Sequence, residues 1–121
     1  ASLLDDFGLR ALGSELARNL SYGDQRMLEV ALSMAGRPRL LLLDEPMAGL
    51  SSGERAAMLQ LLARLDSAIA VLLIEHDMDV AFAFADRVTV LERGRVLFEG
   101  HRDDVSANAS VRNAYLGAPG A

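Results

Sequence analysis

Lysine is absent from this chain of 121 residues, so all twelve basic residues are arginine. That absence excludes the phosphate-gripping loop G-x-x-x-x-G-K-[ST], which uses a lysine ammonium beside backbone N–H groups to hold the β- and γ-phosphates of a nucleotide. Cysteine is absent as well, which excludes disulfides and thiolate metal sites and leaves cytosol as the default compartment. There is no run of basic residues, and the formal net charge of −5 argues against gripping nucleic acid by neutralising phosphates. Long apolar runs are also missing. Leu40 to Leu43 and Ala68 to Ile74 fall far short of the roughly 20 residues that span a bilayer, and Ala1 to Arg10 has no signal-peptide pattern.

Hydrophobic residues nevertheless make up 51% of the chain, enough for a well-buried α/β core and too many for a disordered tail. The chain opens on Ala1 rather than Met and carries its first motif close to that end, which reads as the C-terminal portion of a longer protein.

Helix and strand signals alternate. A weak helical stretch near Leu3 to Phe7 breaks at Gly8. Ser21 stands at an N-cap with Asp24 three residues on, and Met27, Val30, Ala31 and Met34 follow at helical spacing until Gly36 and Pro38 stop the helix. Leu40 to Leu43, bounded by Pro38 and Pro46, reads as a strand buried on both faces in a parallel sheet. Ser51 and Glu54 have capping-box spacing ahead of a stripe of Met58, Leu61, Leu62 and Leu65. Ala70 to Ile74 reads as a second buried strand, followed from Asp77 by a short helix with Met78, Ala81, Phe82 and Ala85 on one face. Val88 to Leu91 and Val96 to Phe98, with Gly94 between them, read as a hairpin. A polar stretch, a helical piece near Val111 to Leu116 and a frayed end at 117–121 complete the chain.

In open α/β sheets ligands bind beyond the carboxyl ends of the strands, which is where Asp44, Glu45 and His76 fall. Two adjacent carboxylates there suit a magnesium nucleotide, one holding Mg²⁺ through water and the other deprotonating an attacking water. Taken singly, Asp44 and Glu45 read equally well as caps of the turn that Pro46 completes, and His76 as an ordinary strand-end histidine. Ser21 and Gly23 read either as a simple helix cap or as a phosphate site, since the free N–H groups and dipole of a helix N-terminus favour an anion. Their combination in one order is what points to function.

With LSYGDQR at Leu20 to Arg26, LLLLDEP at Leu40 to Pro46, AGLS at Ala48 to Ser51 and LLIEHD ending at Asp77, the chain resembles the ATP-binding subunits of ABC transporters over nearly its whole length. LSYGDQR resembles the family's signature motif, LLLLDEP its Walker B, Ala48 to Ser51 its D-loop and His76 its switch histidine. The resemblance implies that Asp44 serves Mg²⁺, Glu45 is the general base and His76 senses the γ-phosphate. It also implies that Ser21 and Gly23 clamp ATP held by a second ATP-binding subunit. Tyr22, Asp24 and Gln25 of the signature and Ala48, Gly49, Leu50 and Ser51 of the D-loop complete the nucleotide-facing set.

The implied fold is a partial P-loop NTPase of the α/β class, a mainly parallel sheet with flanking helices and a C-terminal β-hairpin, without its Walker A half. Residues 1–36 would be the remnant of the helical subdomain, 37–100 the C-terminal part of the ATPase core and 101–121 a C-terminal extension. ATP and Mg²⁺ are the implied cofactors. The implied partners are a second ATP-binding subunit, membrane permease subunits and, indirectly, a solute-binding protein, with no nucleic acid. They would place the chain in the cytoplasm, peripheral on the inner face of the membrane.

The tyrosine of LSYGDQR, the sequence IEHDMDV and the NAYLG ending look most like subunits that energise branched-chain amino acid importers, although urea and lipopolysaccharide transport subunits end similarly. Tyr22 and Asp24 replace the Gly and Gln of many relatives, Ser51 replaces the D-loop Asp, and Met27 and Leu32 stand where relatives commonly carry arginine. In the family, Walker A, the Q-loop and the adenine-stacking aromatic all precede the signature, so hydrolysis by these residues alone is not expected. A non-hydrolysing interaction module is the alternative. A DNA-repair ATPase is a weaker one, since no heptad run appears. The family's Walker A strand lies beside the switch-histidine strand, so its absence would split the sheet, exposing Val71 to Ile74 and Val88 to Leu91 to a gap and inviting self-association.

Overall fold

The computed structural model describes residues 2–116, and the chain divides into two compact units, Ala1–Ile74 and Glu75–Ala121. The expected fraying of 117–121 lies outside the described residues.

The first unit begins with α1 (Leu3–Asp6), which Ser2 caps through a capping box with Asp5. Two short 3₁₀ turns, Arg10–Leu12 and Ala17–Asn19, lead to α2 (Tyr22–Ala35). Ser21 starts α2 by accepting the Asp24 N–H, as the spacing predicts, a cap worth about 1 kcal/mol. Val30 and Ala31 are buried, whereas Met27 and Met34 are half-buried. The helix stops at Gly36, as expected. Gly36 keeps a helical φ of −74°, and the left-handed turn falls on Arg37 at φ 50°.

Strand β1 (Leu40–Asp44) leads to α3 (Ser52–Ala63) and then to β2 (Ala70–Ile74). The two strands pair in parallel, from Leu40 opposite Ala70 to Asp44 opposite Ile74. Ser51 and Glu54 close the capping box of α3, whose Met58, Leu61 and Leu62 are buried. Leu65 lies beyond the helix and is half-buried.

Burial of the strands on both faces is corrected here. Neighbouring strand residues face opposite sides, and Leu41 and Leu43 are buried while Leu40, Leu42, Leu72 and Ile74 are each more than half exposed. Only the odd-numbered face of β1 enters the core, with Phe7, Leu9, Val30, Met47 and Met58 among the buried residues of this unit. β2 has no buried residue at all.

The second unit carries α4 (Met78–Phe84), with Asp77 as N-cap, and the antiparallel pair β3 (Arg87–Glu92) and β4 (Arg95–His101). Arg93 and Gly94, at φ 49° and 76°, form the two-residue turn whose left-handed backbone matches strand twist. A register shift follows Val90. The expected sheet is therefore two separate pairs, one parallel and one antiparallel.

The polar stretch after Gly100 is a helix, α5 (Arg102–Ala107), followed by α6 (Ala109–Leu116). Val105 and Val111 join Val90 at the centre of the core of this unit, with Met78, Phe82, Val88, Leu97 and Phe98 packed around them. In α4 the fully covered residue is Val80, outside the expected stripe, whose members are half-buried. The Tyr115 hydroxyl donates to the Leu91 carbonyl at 2.9 Å and ties α6 to β3.

Candidate nucleotide site at the end of the first strand

β1 delivers Asp44 to the carboxyl end of the parallel pair, where its side chain is exposed. Glu45 then turns the chain with φ 45°. A residue bearing a Cβ pays roughly 1–2 kcal/mol for this left-handed backbone, so the surroundings must hold it there. They do so from both sides. The Glu45 N–H donates to the Ile74 carbonyl of β2 at 2.8 Å, and the Glu45 carbonyl accepts the Ala48 N–H at 3.1 Å and an Arg26 guanidinium N–H, also at 3.1 Å. Met47 and Pro46 are buried beneath the turn.

The expected signature and D-loop segments meet at this turn. The Tyr22 hydroxyl donates to the Ala48 carbonyl at 3.2 Å. The Tyr22 ring lies over Gly49, which has φ 76°, so that a Cβ there would come within 2.9 Å of the ring. Gly23 is buried against Glu54, whose Oε1 would be 2.2 Å from a Gly23 Cβ. The other oxygen of Glu54 accepts the Ser51 N–H at 2.8 Å. The bond from the Ser51 N–H, and then that from its hydroxyl, hold the Glu54 carboxyl below its ordinary range.

The remaining signature residues serve their own helix. Ser21 Oγ accepts the Asp24 N–H at 3.1 Å and donates to Asp24 Oδ2 at 2.6 Å. Gln25 donates its amide to the carbonyls of Ala17 and Leu20, fixing the approach to α2. Leu50 is half-buried, and its N–H donates to the Met47 carbonyl. His76 belongs to the second unit, exposed just before Asp77, whose carboxylate caps α4 by accepting the N–H groups of Asp79 and Val80.

Two participants escaped the sequence reading, Arg26 and the Gly23-facing role of Glu54. The signal for Arg26 was its position four residues after Tyr22, on the same helix face. Glu54 has a complete local role in the capping box of α3, so its spacing carries no signal of the contact with Gly23.

Among the described residues no group of three or more His, Asp or Glu side chains is arranged to hold a metal. Magnesium does not need one, since it binds through one or two carboxylates, retained waters and substrate phosphates. The exposed Asp44 at a strand end fits that donor set. An N-capped α2 of 14 residues likewise fits an anion at its first turn.

A strand thus delivers two carboxylates beside a capped helix, within an α/β arrangement. The ABC transporter family profile matches residues 1–48. The chain is 40% identical over 119 residues to BraF of Pseudomonas aeruginosa, a high-affinity branched-chain amino acid transport ATP-binding protein, covering 97% of this chain and 47% of that one. LivG of Escherichia coli, with the same description, is 40% identical with the same coverage. The crystal structure of an ATP-binding cassette of an ABC transporter in its ADP conformation superposes with a TM-score of 0.83 at 26% identity, covering 96% of this chain and 48% of that one. The cbiO1 protein of Clostridium perfringens, part of an ABC transporter complex, gives a TM-score of 0.79 at 29% identity, covering 97% and 48%. Over nearly its whole length the chain is similar to ATP-binding proteins of ABC transporters. It spans about half the length of the curated relatives it matches.

Proposed function

We propose that this chain supplies the clamping, hydrolysing and sensing residues of an ATP-binding subunit that powers an importer, with branched-chain amino acids as the solute class. The observation that carries the reading is the meeting at the end of β1, where Asp44 and Glu45 leave the strand and the first turns of α2 hold the loop that follows. The solute class rests on the likeness to BraF and LivG.

In this reading Asp44 holds Mg²⁺ through water, and the ion when bound screens the phosphate charge. Glu45 accepts the proton of the attacking water. His76 contacts the γ-phosphate. The Ser21 hydroxyl proton is already given to Asp24, so an ATP held by a second ATP-binding subunit would meet mainly the backbone N–H groups and dipole of the first turn of α2. Tyr22, Gly23, Asp24 and Gln25 shape that turn, and Ala48 to Ser51 shape the facing loop. The lysine that grips the phosphates must come from residues outside this sequence. A non-hydrolysing interaction module remains the second reading for these residues by themselves, and the lack of lysine favours it.

Among the described residues no helix is long and apolar enough to cross a membrane. We place the contact with the inner face of the membrane in permease subunits, with a solute-binding protein engaged indirectly through them.

Magnesium-dependent ATP hydrolysis, compared between this chain alone and the complete subunit with a phosphate-loop half supplied, tests the proposal. Turnover is expected only in the complete subunit. There Glu45→Gln should abolish hydrolysis while ATP binding survives, because the amide keeps the shape and cannot accept a proton. Loss of binding instead would make Glu45 a nucleotide ligand. His76→Ala should slow turnover by roughly 10²-fold, and a near-normal rate would return His76 to an ordinary strand-end residue.

A further inference from the structure

Arg26 has no role in the reading above, yet its surroundings are those of a built contact. Tyr22, Arg26 and Val30 recur every fourth residue and form one stripe of α2. Tyr22 reaches the Ala48 carbonyl, Arg26 reaches the Glu45 carbonyl, and Val30 is buried. The guanidinium is oriented from its own helix by Glu29, which accepts from Nη1 at 2.7 Å. Its Nε is buried without a hydrogen-bond partner. A buried donor left unsatisfied costs stability, so the arrangement keeps Nη2 on the Glu45 carbonyl at the expense of Nε. Arg26 and Asp44 also line one cleft beside β1.

We propose that Arg26 is a positioning residue for Glu45, an inference that rests on the reading of Glu45 as the general base. The side-chain direction of a residue follows from its backbone dihedrals, and Glu45 holds an unfavourable left-handed φ of 45°. Its N–H is tied to β2 and its carbonyl to Ala48 and Arg26. The bond to Ala48 lies within the same turn and travels with it. Arg26 fixes the carbonyl from another element, and so helps set the orientation in which the carboxylate leaves the strand. Through Tyr22 and Arg26 the first two turns of α2 and the loop after β1 also share their position, so a displacement of the α2 N-terminus would be felt at the base. An arginine is suited to this because its planar fork serves Glu29 and Glu45 in fixed directions, which an ammonium does not.

The complete subunit carrying Arg26→Met tests this, since methionine keeps apolar packing of the stem and removes the fork. The Ala48 amide, which donates to the Glu45 carbonyl, should exchange faster with solvent while the interior amides of α2 keep their protection. Turnover should fall by roughly 10- to 100-fold, with KM for Mg-ATP changed by no more than about twofold. Arg26→Lys should recover part of the rate. An unchanged Ala48 exchange rate overturns the proposal whatever happens to turnover. Loss of protection throughout α2, with KM and kcat changing together and no recovery by lysine, also overturns it and makes Arg26 a plain strut. Glu45→Gln in the same assay separates the two ideas. If that variant still hydrolyses ATP, the general-base reading fails, whereas a silent Glu45→Gln beside a fully active Arg26→Met refutes only the role of Arg26.

Discussion

Gly49→Ala puts a number on how tightly the loop after β1 is held by α2. Two separable costs follow from the structure. The first is backbone strain, because Gly49 has φ 76° and a residue with a Cβ loses about 1–2 kcal/mol in that region. The second is steric, since the new Cβ would lie 2.9 Å from Tyr22 Cε1 and 3.4 Å from Cζ, inside the roughly 3.5–4.0 Å at which carbon atoms pack comfortably. The ring must tilt away and give up the hydroxyl bond to the Ala48 carbonyl. Such a bond contributes about 0.5–1.5 kcal/mol, and Tyr22 is 53% exposed, which favours the lower end. Together Gly49→Ala should cost about 1.5–2.5 kcal/mol. In a Tyr22→Ala background only the backbone strain remains, about 1–2 kcal/mol, so the two substitutions should couple by about 0.5 kcal/mol. Urea denaturation of the four proteins of the cycle measures this. Equal costs in both backgrounds would show that the ring does not cover Gly49. A cost under about 0.5 kcal/mol would show that the turn is not left-handed.

The capping box of α3 should show a pH signature. The Ser51 N–H and hydroxyl lower the Glu54 carboxyl below its ordinary value of 4.5, so its stabilising effect is complete above that pH and disappears as pH falls through the lower folded value. The difference in urea midpoint between the parent and Glu54→Gln should thus be constant near neutrality and shrink below pH 4.5; a difference that grows on acidification would reverse the sign and refute the assignment. The open face of the parallel pair should make the isolated chain self-associate, because Leu40, Leu42, Leu72 and Ile74 present one apolar surface. Sedimentation velocity should show mass rising with concentration, and Leu42→Lys together with Leu72→Lys should suppress it with the circular dichroism unchanged; a concentration-independent parent monomer would count against the idea.

Local chemistry was legible wherever a few neighbouring residues decide the outcome. The Ser21 cap of α2, the Ser51–Glu54 box of α3, the Asp77 cap of α4 and the Gly94 turn of the hairpin all stand where spacing puts them. The ends of the strands, and with them Asp44, Glu45 and His76, were legible for the same reason. The apolar runs misled about their surroundings. Four consecutive leucines look alike whether helices cover one face of a strand or both, and here Leu42 is left 64% exposed while Leu41 is buried. Helix α5 was missed because Val105 is its one large apolar residue, too few for periodicity to register.

The sequence by itself determined the order of motifs, the family they resemble and the absence of a phosphate-gripping lysine, because each of these is a property of residue type and spacing along the chain. Tertiary structure alone decided what the glycine, the tyrosine and the arginine of LSYGDQR touch. Tyr22 covers Gly49, Gly23 makes room for Glu54, and Arg26 reaches the carbonyl of Glu45. These pairs lie about 20 to 30 residues apart, with |i−j| of 26 for Tyr22 and Ala48 and 19 for Arg26 and Glu45. No local propensity encodes such contacts. They arise only when α2 packs beside the end of β1 and the strained turn at Glu45 finds its donors.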